Sequence, residues 1–249
     1  MIELNGVTRQ FVLEGGTTVV PVRDVTLDIA AGEFIIVTGL SGGGKTTLLR
    51  ILAGLLKPTS GEVRIGGRDI GRMPEAGLAR FRARCMGFVV QSPSLLPSLT
   101  VLANVLLPAG LCGMRVQDEQ RQRAVNLLER VGLHERLGCY PAQLSAGEQR
   151  RAVLARALMN DPDILLADEP TADLDEHTEH EVMAHIREAH AGGATVVMVT
   201  HNLELLSNAH RVLRMENGRL YDLIVPRTSA RTSPIVLNEM PVTRTTFAQ

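Results

Sequence analysis

The segment FIIVTGLSGGGKTTLLR, residues 34–50, decides the fold of this chain. It opens with the continuous apolar run FIIV, which is typical of a buried strand, and from Thr46 onward Leu and Ile residues recur at helical spacing up to Leu56. Between the two, Gly39–Thr46 reads GLSGGGKT and matches the pattern GxxxxGK followed by Ser or Thr. The sequence therefore predicts a phosphate-binding loop between a strand and a helix.

The residue types in this loop explain how it would hold phosphate. Glycines let backbone amides turn towards phosphate oxygens, and the N-terminus of the following helix adds partial positive charge. Lys45 is placed to reach the β- and γ-phosphates of a nucleotide, and the Thr46 hydroxyl to ligate Mg²⁺. The predicted nucleotide-binding residues here are Gly39, Leu40, Ser41, Gly42, Gly43, Gly44, Lys45, Thr46 and Thr47.

Two acidic residues follow a second apolar strand. The segment ILLADE, residues 164–169, places Asp168 at the carboxyl edge of the predicted sheet, where ligands bind in open α/β folds. We expect Asp168 to hold the metal ion and Glu169 to polarise the attacking water as a general base. Two acids after a strand are often only a solvated loop, but a phosphate loop in the same chain favours the catalytic interpretation.

The remaining periodicities predict an α/β fold with a parallel-sheet core. Residues 195–200 form another continuous apolar run, and a helical stretch at 177–190 separates it from residues 164–167. Apolar and polar residues alternate around Leu27, which indicates antiparallel strands near the N-terminus. Helices are expected at 116–131 and after Ser145, and a terminal hairpin at Asn217-Gly218.

Composition narrows the classes of partner. The 249 residues include 26 Lys and Arg against 27 Asp and Glu, so the chain lacks the basic excess usual in nucleic-acid-binding proteins, and no nucleic acid partner is expected. Five Phe, two Tyr and no Trp argue against stacking platforms for single strands and predict an aliphatic core. Three cysteines without a CxxC pair, and an N-terminus without an apolar signal segment, favour the cytoplasm.

A long uncharged stretch runs from Cys85 to Met114. The part from Leu95 to Met114 is apolar enough to suggest a membrane span by its length. Residues that would interrupt the hydrogen bonding of a span argue against this reading: Pro93, Pro97, Asn104, Pro108, Gly110 and Gly113. We expect instead a surface that docks a partner.

The segment from Tyr140 to Asp175, YPAQLSAGEQRRAVLARALMNDPDILLADEPTADLD, resembles the ATPase core of an ABC transporter. Within it LSAGE, residues 144–148, is similar to the signature motif of that family. The resemblance implies that this motif acts on ATP bound by the opposing protomer of a homodimer. The signature residues assigned to the nucleotide in this way are Ser145, Ala146, Gly147 and Glu148.

Further positions resemble family elements in the expected order. Gln91 is similar to the Q-loop glutamine, which senses Mg²⁺ and the γ-phosphate and couples to the membrane subunit. Asp175, after Leu174, resembles the D-loop, His201 the switch histidine, and Phe11 the aromatic residue that stacks on adenine. Each of these residues also has a simpler interpretation: Gln91 as a strand-end amide, His201 as a helix cap and Phe11 as a core residue. The resemblance therefore depends on their order and spacing in the chain.

The resemblance implies ATP and Mg²⁺ as cofactors. It implies catalytic roles for Glu169, His201 and Gln91, and a metal site formed by Thr46, Gln91 and Asp168. Three positions depart from the family pattern and bear on the turnover rate more than on nucleotide binding: Ala146 in place of Gly, Asp173 in place of a small or amide residue, and Phe11 in place of Tyr.

The resemblance covers about residues 1–224, as one ATP-binding domain of the P-loop NTPase type. It implies an N-terminal antiparallel β subdomain and a helical signature subdomain inserted at about 92–160. Residues 225–249, which contain many Thr, Ser, Pro and Arg, are expected to be a flexible or partner-dependent tail. Within that family, the sequence is most similar to the ATPases of lipoprotein release, macrolide export and cell division.

The implied function is to bind and hydrolyse ATP and so power integral membrane permease subunits in export, lipoprotein release or mechanotransmission. The protein would lie peripherally on the cytoplasmic face of the cell membrane, and a periplasmic or extracytoplasmic adaptor could act through the permease. One alternative is a soluble ABC ATPase that acts on nucleic acid or ribosomes, whose usual coiled-coil insertion or second cassette is missing here. Another is a P-loop small-molecule kinase, which would not need LSAGE or His201.

Overall fold

The computed structural model of the protein describes residues 1–91, 94–113, 117–223 and 239–241. The chain divides into two compact units, Met1–Met73 with Val197–Gln249, and Pro74–Val196. The predicted helical segment 92–160 belongs to the second unit. The predicted tail, 225–249, lies outside the described residues except for 239–241. Among the helices of the described part, none combines the length and the apolar character that a membrane crossing needs.

The secondary structure follows the predicted order. In the described residues the strands are β1 Ile2–Val12, β2 Thr18–Ile29, β3 Phe34–Thr38, β4 Ser60–Ile65, β5 Arg68–Asp69, β6 Met86–Val89, β7 Ile164–Asp168, β8 Thr195–Val199, β9 Arg211–Glu216, β10 Arg219–Leu223 and β11 Glu239–Pro241. The α-helices are α1 Lys45–Leu52, α2 Glu75–Cys85, α3 Val101–Leu111, α4 Asp118–Arg130, α5 Ala146–Ala157 and α6 Glu176–Ala191. Short 3₁₀ turns occupy Ile70–Arg72, His134–Arg136, Pro141–Gln143 and Leu203–Asn208.

The first unit contains the predicted antiparallel subdomain, a sheet of order β2-β1-β4-β5. Strand β1 pairs antiparallel with β2, where Leu4 lies opposite Leu27, and with β4, where Leu4 lies opposite Val63. All three side chains are almost fully buried. The alternation around Leu27 in the sequence is thus the inward face of this sheet, which confirms the prediction.

The other sheet is mixed, and its part in the first unit consists of β11-β10-β9-β3 and the last three residues of β8. Strands β3 and β9 are parallel, with Ile36 opposite Val212, as the apolar runs predicted. The hairpin β9–β10 adds an antiparallel strand through a turn at Asn217 and Gly218, whose φ angles of 50° and 81° are those of the two-residue hairpin turns. Helix α1 stops at Leu52, short of the predicted Leu56, because the amides of the two following leucines fold back to the Arg50 carbonyl.

The second unit holds the strands β6 and β7, the first two residues of β8, and five helices, α2 to α6. Strands β6 and β7 are parallel, with Val89 opposite Ala167, and every residue of β7 is buried. The core of both units is aliphatic, as predicted: in the described part of the chain Phe34 is the single aromatic side chain that is fully buried. Pro108 lies inside α3, so this short helix tolerates a residue that the sequence analysis treated as a helix breaker.

Candidate nucleotide-binding site

The loop between β3 and α1 packs too closely on its neighbours to carry side chains at two positions. A Cβ atom at Gly39 would lie 2.2 Å from the Met215 carbonyl oxygen, and one at Gly44 would lie 1.8 Å from the Pro21 carbonyl oxygen. The φ angles of these glycines are 136° and 103°, in the region that favours glycine. Only glycine at these two positions therefore allows the loop to approach the neighbouring carbonyls so closely.

The N-terminus of α1 is suited to an anion. Its N-cap residue is Gly44, which provides no side-chain cap, and its first turn contains no acidic residue. The amides of a first helical turn have no intrahelical partners and carry partial positive charge. A phosphate group placed there would supply the missing acceptors.

Lys45 is nearly buried, and its ammonium group lies over the same loop. The Nζ atom donates hydrogen bonds to the carbonyl oxygens of Gly39, at 2.8 Å, and Leu40, at 3.0 Å. A buried ammonium needs such acceptors because desolvation of a charge is costly. Phosphate oxygens can replace these carbonyls when a nucleotide enters.

Within the first unit, His201 lies next to the strand that leads into the loop. The amide of Thr200 donates to the carbonyl of Val37 at 3.2 Å, and Gly39 follows two residues later. The His201 side chain is exposed directly after this contact. The fold thus brings the predicted switch histidine to the same edge as the phosphate loop.

Phe11 lies on the hairpin that contacts the loop. It stands opposite Val19 in the β1–β2 pairing, close in the chain to Pro21, which touches the backbone at Gly44. The guanidinium carbon of Arg9 lies 4.5 Å above the centre of the Phe11 ring. A base stacked on Phe11 would therefore have to lie on the opposite face of the ring. The sequence analysis did not predict Arg9, although the spacing i, i+2 on a strand places the two side chains on one face.

In the second unit, Asp168 ends β7 and Glu169 follows it. Both side chains are buried, Asp168 at 4% exposure and Glu169 at 9%. The backbone of Glu169 has a φ angle of 48°, which is uncommon for a residue with a side chain and often marks functional sites. The predicted acids are thus at the end of a buried strand, as the sequence indicated, and in a strained turn, which the sequence did not indicate.

The signature segment opens α5 through a reciprocal cap. The Ser145 hydroxyl accepts a hydrogen bond from the Glu148 amide at 3.2 Å, and the Glu148 carboxylate accepts one from the Ser145 amide at 2.8 Å. The Ser145 hydroxyl also interacts with the Glu148 carboxylate, and this contact helps to lower the pKa of Glu148. Ala146 is exposed and its φ is not left-handed, so alanine here does not strain the backbone. A Cβ at Gly147 would lie 3.2 Å from Cγ2 of Thr178 on α6.

An arginine that the sequence analysis missed compensates the charge of Glu148. Nε of Arg136 lies 3.1 Å from Oε1 of Glu148. The hydrogen bond from the Ser145 amide, and the contact with Arg136, lower the pKa of Glu148. The same contact raises the pKa of Arg136. The acid in the signature segment is therefore ionised and paired.

Asp175 is the N-cap of α6. Its carboxylate accepts hydrogen bonds from the Thr178 amide, at 3.0 Å, and the Thr178 hydroxyl, at 2.7 Å. The hydrogen bond from the Thr178 backbone amide lowers the pKa of Asp175. The structure shows Asp175 as a helix cap, and its role in nucleotide binding stays a prediction.

Gln91 follows β6 by two residues, with an exposed side chain, and its backbone is held by a residue that the sequence analysis also missed. Arg150 of α5 is only 5% exposed and donates to the carbonyls of Val90, Gln91 and Ala172. A signal for Arg150 was present: it shares the helical face of Leu154 and Ala157 at spacings i, i+4 and i+7, so its burial follows from the period.

The residues that could hold a metal ion are oxygen donors. Among the described residues there is no cluster of three or more His, Cys, Asp or Glu side chains with the geometry of a metal site. The predicted set consists of one carboxylate, one hydroxyl and one amide, from Asp168, Thr46 and Gln91. Such a set suits Mg²⁺, which takes few protein ligands and completes its shell with phosphate and water.

Comparison with known proteins points to a single family. The sequence pattern of the family described as "ABC transporter" matches residues 22–172. An uncharacterized ABC transporter ATP-binding protein of Thermotoga maritima is 46% identical over 206 residues, covering 83% of this chain and 88% of that protein. The macrolide export ATP-binding/permease protein MacB of Pectobacterium atrosepticum is 42% identical over 220 residues, 88% of this chain but 34% of MacB. The chain spans about a third of the length of that relative.

Solved structures agree. The dimeric structure of the ATP-binding cassette MJ0796 in a post-hydrolysis state with ADP and Pi has a TM-score of 0.84 and 36% identity, covering 90% of this chain and 99% of that chain. A second dimeric MJ0796 structure, titled a bacterial ABC transporter cassette, has a TM-score of 0.83 and 37% identity with the same coverage. Both counterparts are dimers.

Proposed function

This chain belongs to the ABC transporter family and has the fold of its ATP-binding cassettes, and we propose that it binds and hydrolyses ATP to drive a membrane permease. The observation that carries the proposal is the phosphate loop. Bare backbone at Gly39 and Gly44, an N-terminus of α1 without a side-chain cap, and the Lys45 ammonium converge there. These are the features that bind a triphosphate.

Within this function we assign the site residues as follows. The loop from Gly39 to Thr47 holds the phosphates, and Phe11 stacks on adenine. Asp168, with Thr46 and Gln91, holds Mg²⁺, whose positive charge neutralises charge on the β- and γ-phosphates. Glu169 accepts the proton of the attacking water, and His201 with Gln91 contacts the γ-phosphate. The burial of the two acids at the end of β7 and the position of His201 beside β3 support these roles.

We further propose that two copies of the chain enclose two ATP molecules. Ser145, Ala146, Gly147 and Glu148 of one protomer would face the ATP held by the other, with Asp175 close by. The exposed Ser145 hydroxyl at the start of α5 supports this assignment because it can donate to a γ-phosphate. The solved dimers of a similar cassette support the stoichiometry.

The permease is proposed to dock on the uncharged segment after Gln91. Leu96, Pro97 and Ser98 are exposed there, as is Leu111 at the end of α3. The fully buried Asn104 holds this surface in shape: its side chain accepts a hydrogen bond from the Leu96 amide at 2.7 Å and donates to neighbouring carbonyls. A membrane partner implies a position on the cytoplasmic face of the cell membrane, with any extracytoplasmic adaptor reached through the permease.

The proposed domain organisation is one ATP-binding domain, residues 1–224, with the helical segment 92–160 inserted, followed by a tail, residues 225–249. Strand β11 of that tail pairs with β10, with Met240 opposite Asp222. The tail would then contact either the sheet or the permease.

The substitution Glu169→Gln tests the catalytic proposal. Loss of the general base should lower kcat about a hundredfold or more, and ATP should then trap a stable dimer. ATPase assays and light scattering with and without ATP measure both effects. Glu129→Gln, at an exposed acid of α4, is the matched control and should leave both unchanged. Undiminished turnover would refute the role of Glu169, and a variant that stays monomeric with ATP would refute the sandwich.

Crosslinking tests the docking surface. In a variant without the three native cysteines, Leu96→Cys should form crosslinks to a membrane protein in native membranes. Leu55→Cys, at a similarly exposed leucine of the other unit, should not. Equal crosslinking at both positions, or none at Leu96 in complexes with active ATPase, would exclude this surface.

A further inference from the structure

Arg150 is a buried cation whose partners in the structure are backbone carbonyls. Its side chain is 5% exposed, on the inner face of α5. One terminal nitrogen donates to the carbonyls of Val90, at 3.0 Å, and Gln91, and the other donates to the carbonyl of Ala172, at 3.2 Å. One guanidinium thus joins three segments that are distant in sequence.

We propose that Arg150 is a positioning residue that couples the backbone at Gln91 and the turn after Glu169 to the signature helix. The inference rests on the proposed function, which gives each of these segments a role in ATP hydrolysis. Ser145 lies at the start of the helix that carries Arg150. A shift of any one segment should therefore displace the other two, because the rigid guanidinium of Arg150 connects them.

The chemistry of the site calls for arginine. A guanidinium is planar and offers five donors in a fixed fork, so it can serve separate carbonyls at the same time. A lysine ammonium is a single point of charge and cannot span them. Burial lowers the pKa of Arg150, and the nearby charge of Asp173 raises it. The group stays protonated, so its desolvation must be offset by all three carbonyls together.

The turn that Arg150 holds is strained. Glu169 and Asp173 have φ angles of 48° and 61°, and left-handed backbone costs about 1–2 kcal/mol per residue that has a side chain. Such conformations persist only where surrounding contacts enforce them. Ala172 lies between these two residues and gives its carbonyl to Arg150. We therefore expect the direction of the Glu169 carboxylate to depend on Arg150.

A second arginine of α5 holds the same segment further along. Arg156 donates to the backbone carbonyl of Ser94 at 2.8 Å and to its hydroxyl at 2.6 Å. The backbone carbonyls of Gln91 and Ser94 thus both accept hydrogen bonds from arginines of α5. Arg150 differs from Arg156 because it alone of the two also reaches the turn after Glu169.

The experiment compares Arg150→Gln and Arg150→Lys with Arg151→Gln. Arg151 is the next residue of α5 and forms an ion pair with Glu181 at 3.0 Å, away from the coupled carbonyls. Hydrogen exchange of the nucleotide-free protein should become about tenfold or more faster in peptides covering 86–91 and 169–174 for Arg150→Gln, because each lost hydrogen bond had a charged donor. Arg150→Lys should restore part of the protection, and Arg151→Gln should leave both peptides unchanged.

Kinetics supply a second readout. In Arg150→Gln, kcat should fall about tenfold or more while the Kd for ATP changes less than about twofold. Unchanged exchange in both peptides would overturn the proposal. The proposal would also be overturned if the loss of kcat in Arg150→Gln equalled the fraction of unfolded protein and if Arg151→Gln lost the same amount. A wild-type chain without ATPase activity would refute the proposed function instead, and the exchange result would still decide the coupling.

Discussion

Nε of Arg136 lies 3.1 Å from Oε1 of Glu148, so the acidic residue of the signature segment has a bound counter-charge. The capping bond from the Ser145 amide turns the same carboxylate back towards its own helix. In the proposed dimer, Glu148 would face the triphosphate of the other protomer. An unpaired carboxylate there would repel the nucleotide, and the charge of Arg136 opposes that repulsion.

Removing the charge of Arg136 should therefore raise the KM for ATP. We expect Arg136→Gln to raise the KM for ATP roughly two- to fivefold, which is the range for one solvent-exposed ion pair. The effect should shrink in about 0.5 M salt because exposed charges are then screened. Steady-state ATPase assays at two salt concentrations measure it.

The double variant Arg136→Gln with Glu148→Gln is the control for this prediction. Glutamine at position 148 keeps the capping geometry but removes the charge, so the KM should return close to that of Glu148→Gln alone. A KM that stays raised would mean that Arg136 acts through packing and not through charge.

Stability should depend on pH through the same carboxylate. The folded pKa of Glu148 is lowered from 4.5, first by the Ser145 amide and then by Arg136. The folded state thus binds the proton less tightly than the unfolded chain. The stabilisation is complete above the unfolded pKa and is lost as the pH falls through the folded pKa.

Denaturant unfolding at about pH 6 and about pH 3.5 checks this sign. The wild type should lose more free energy of unfolding between these values than Glu148→Gln does. Asp175→Asn should behave similarly, because asparagine keeps the cap of α6 and removes a second carboxylate of lowered pKa. Identical losses in all three proteins would contradict the prediction.

The phosphate loop should tolerate alanine at Gly42 but not at Gly44. A Cβ at Gly44 would lie 1.8 Å from a backbone carbonyl, whereas a Cβ at Gly42 would have no atom within 4 Å. We expect Gly44→Ala to cost about 2–5 kcal/mol and to abolish ATP binding. Gly42→Ala carries only the cost of its φ angle of 76°, about 1–2 kcal/mol. Urea unfolding and calorimetric ATP titration separate the two, and equal effects would rule out close approach as the cause.

Phe11→Ala should weaken ATP binding about tenfold, because stacking on a base contributes about 1–3 kcal/mol. Inorganic tripolyphosphate lacks a base, so its affinity should not change. Phe11→Tyr preserves the ring and serves as the control. If both ligands lost affinity equally, the hairpin would have been disturbed as a whole and the stacking role would be wrong.

The sequence predicted those parts of the site that are formed by residues close together in the chain. The strand, loop and helix of residues 34–50 appear in order, and α5 begins directly after its capping residue Ser145, as expected. Such features depend on hydrogen bonds within a few residues, so a local pattern is sufficient. Boundaries were less accurate: α1 ends at Leu52 because a turn back to the Arg50 carbonyl, not the periodicity, stops it.

Three arginines that contact candidate site residues were not predicted: Arg9, Arg136 and Arg150. Arg150 and Gln91 are 59 residues apart, and Arg136 and Glu148 are 12 apart, so no local pattern connects them. Arg9 is closer to Phe11, but a cation over a ring depends on side-chain direction. A charged residue on a buried helical face, as at Arg150, is a signal that helical periodicity does contain.

The sequence by itself determined the family, the phosphate loop and the order of the catalytic motifs, because motif chemistry and helical or strand period are properties of neighbouring residues. Tertiary structure alone decided which charges are compensated and which backbones are held. A guanidinium can pair with any carbonyl or carboxylate that the fold brings within about 3 Å. Only the folded chain selects the carbonyls of Gln91 and Ala172 for Arg150, and the carboxylate of Glu148 for Arg136.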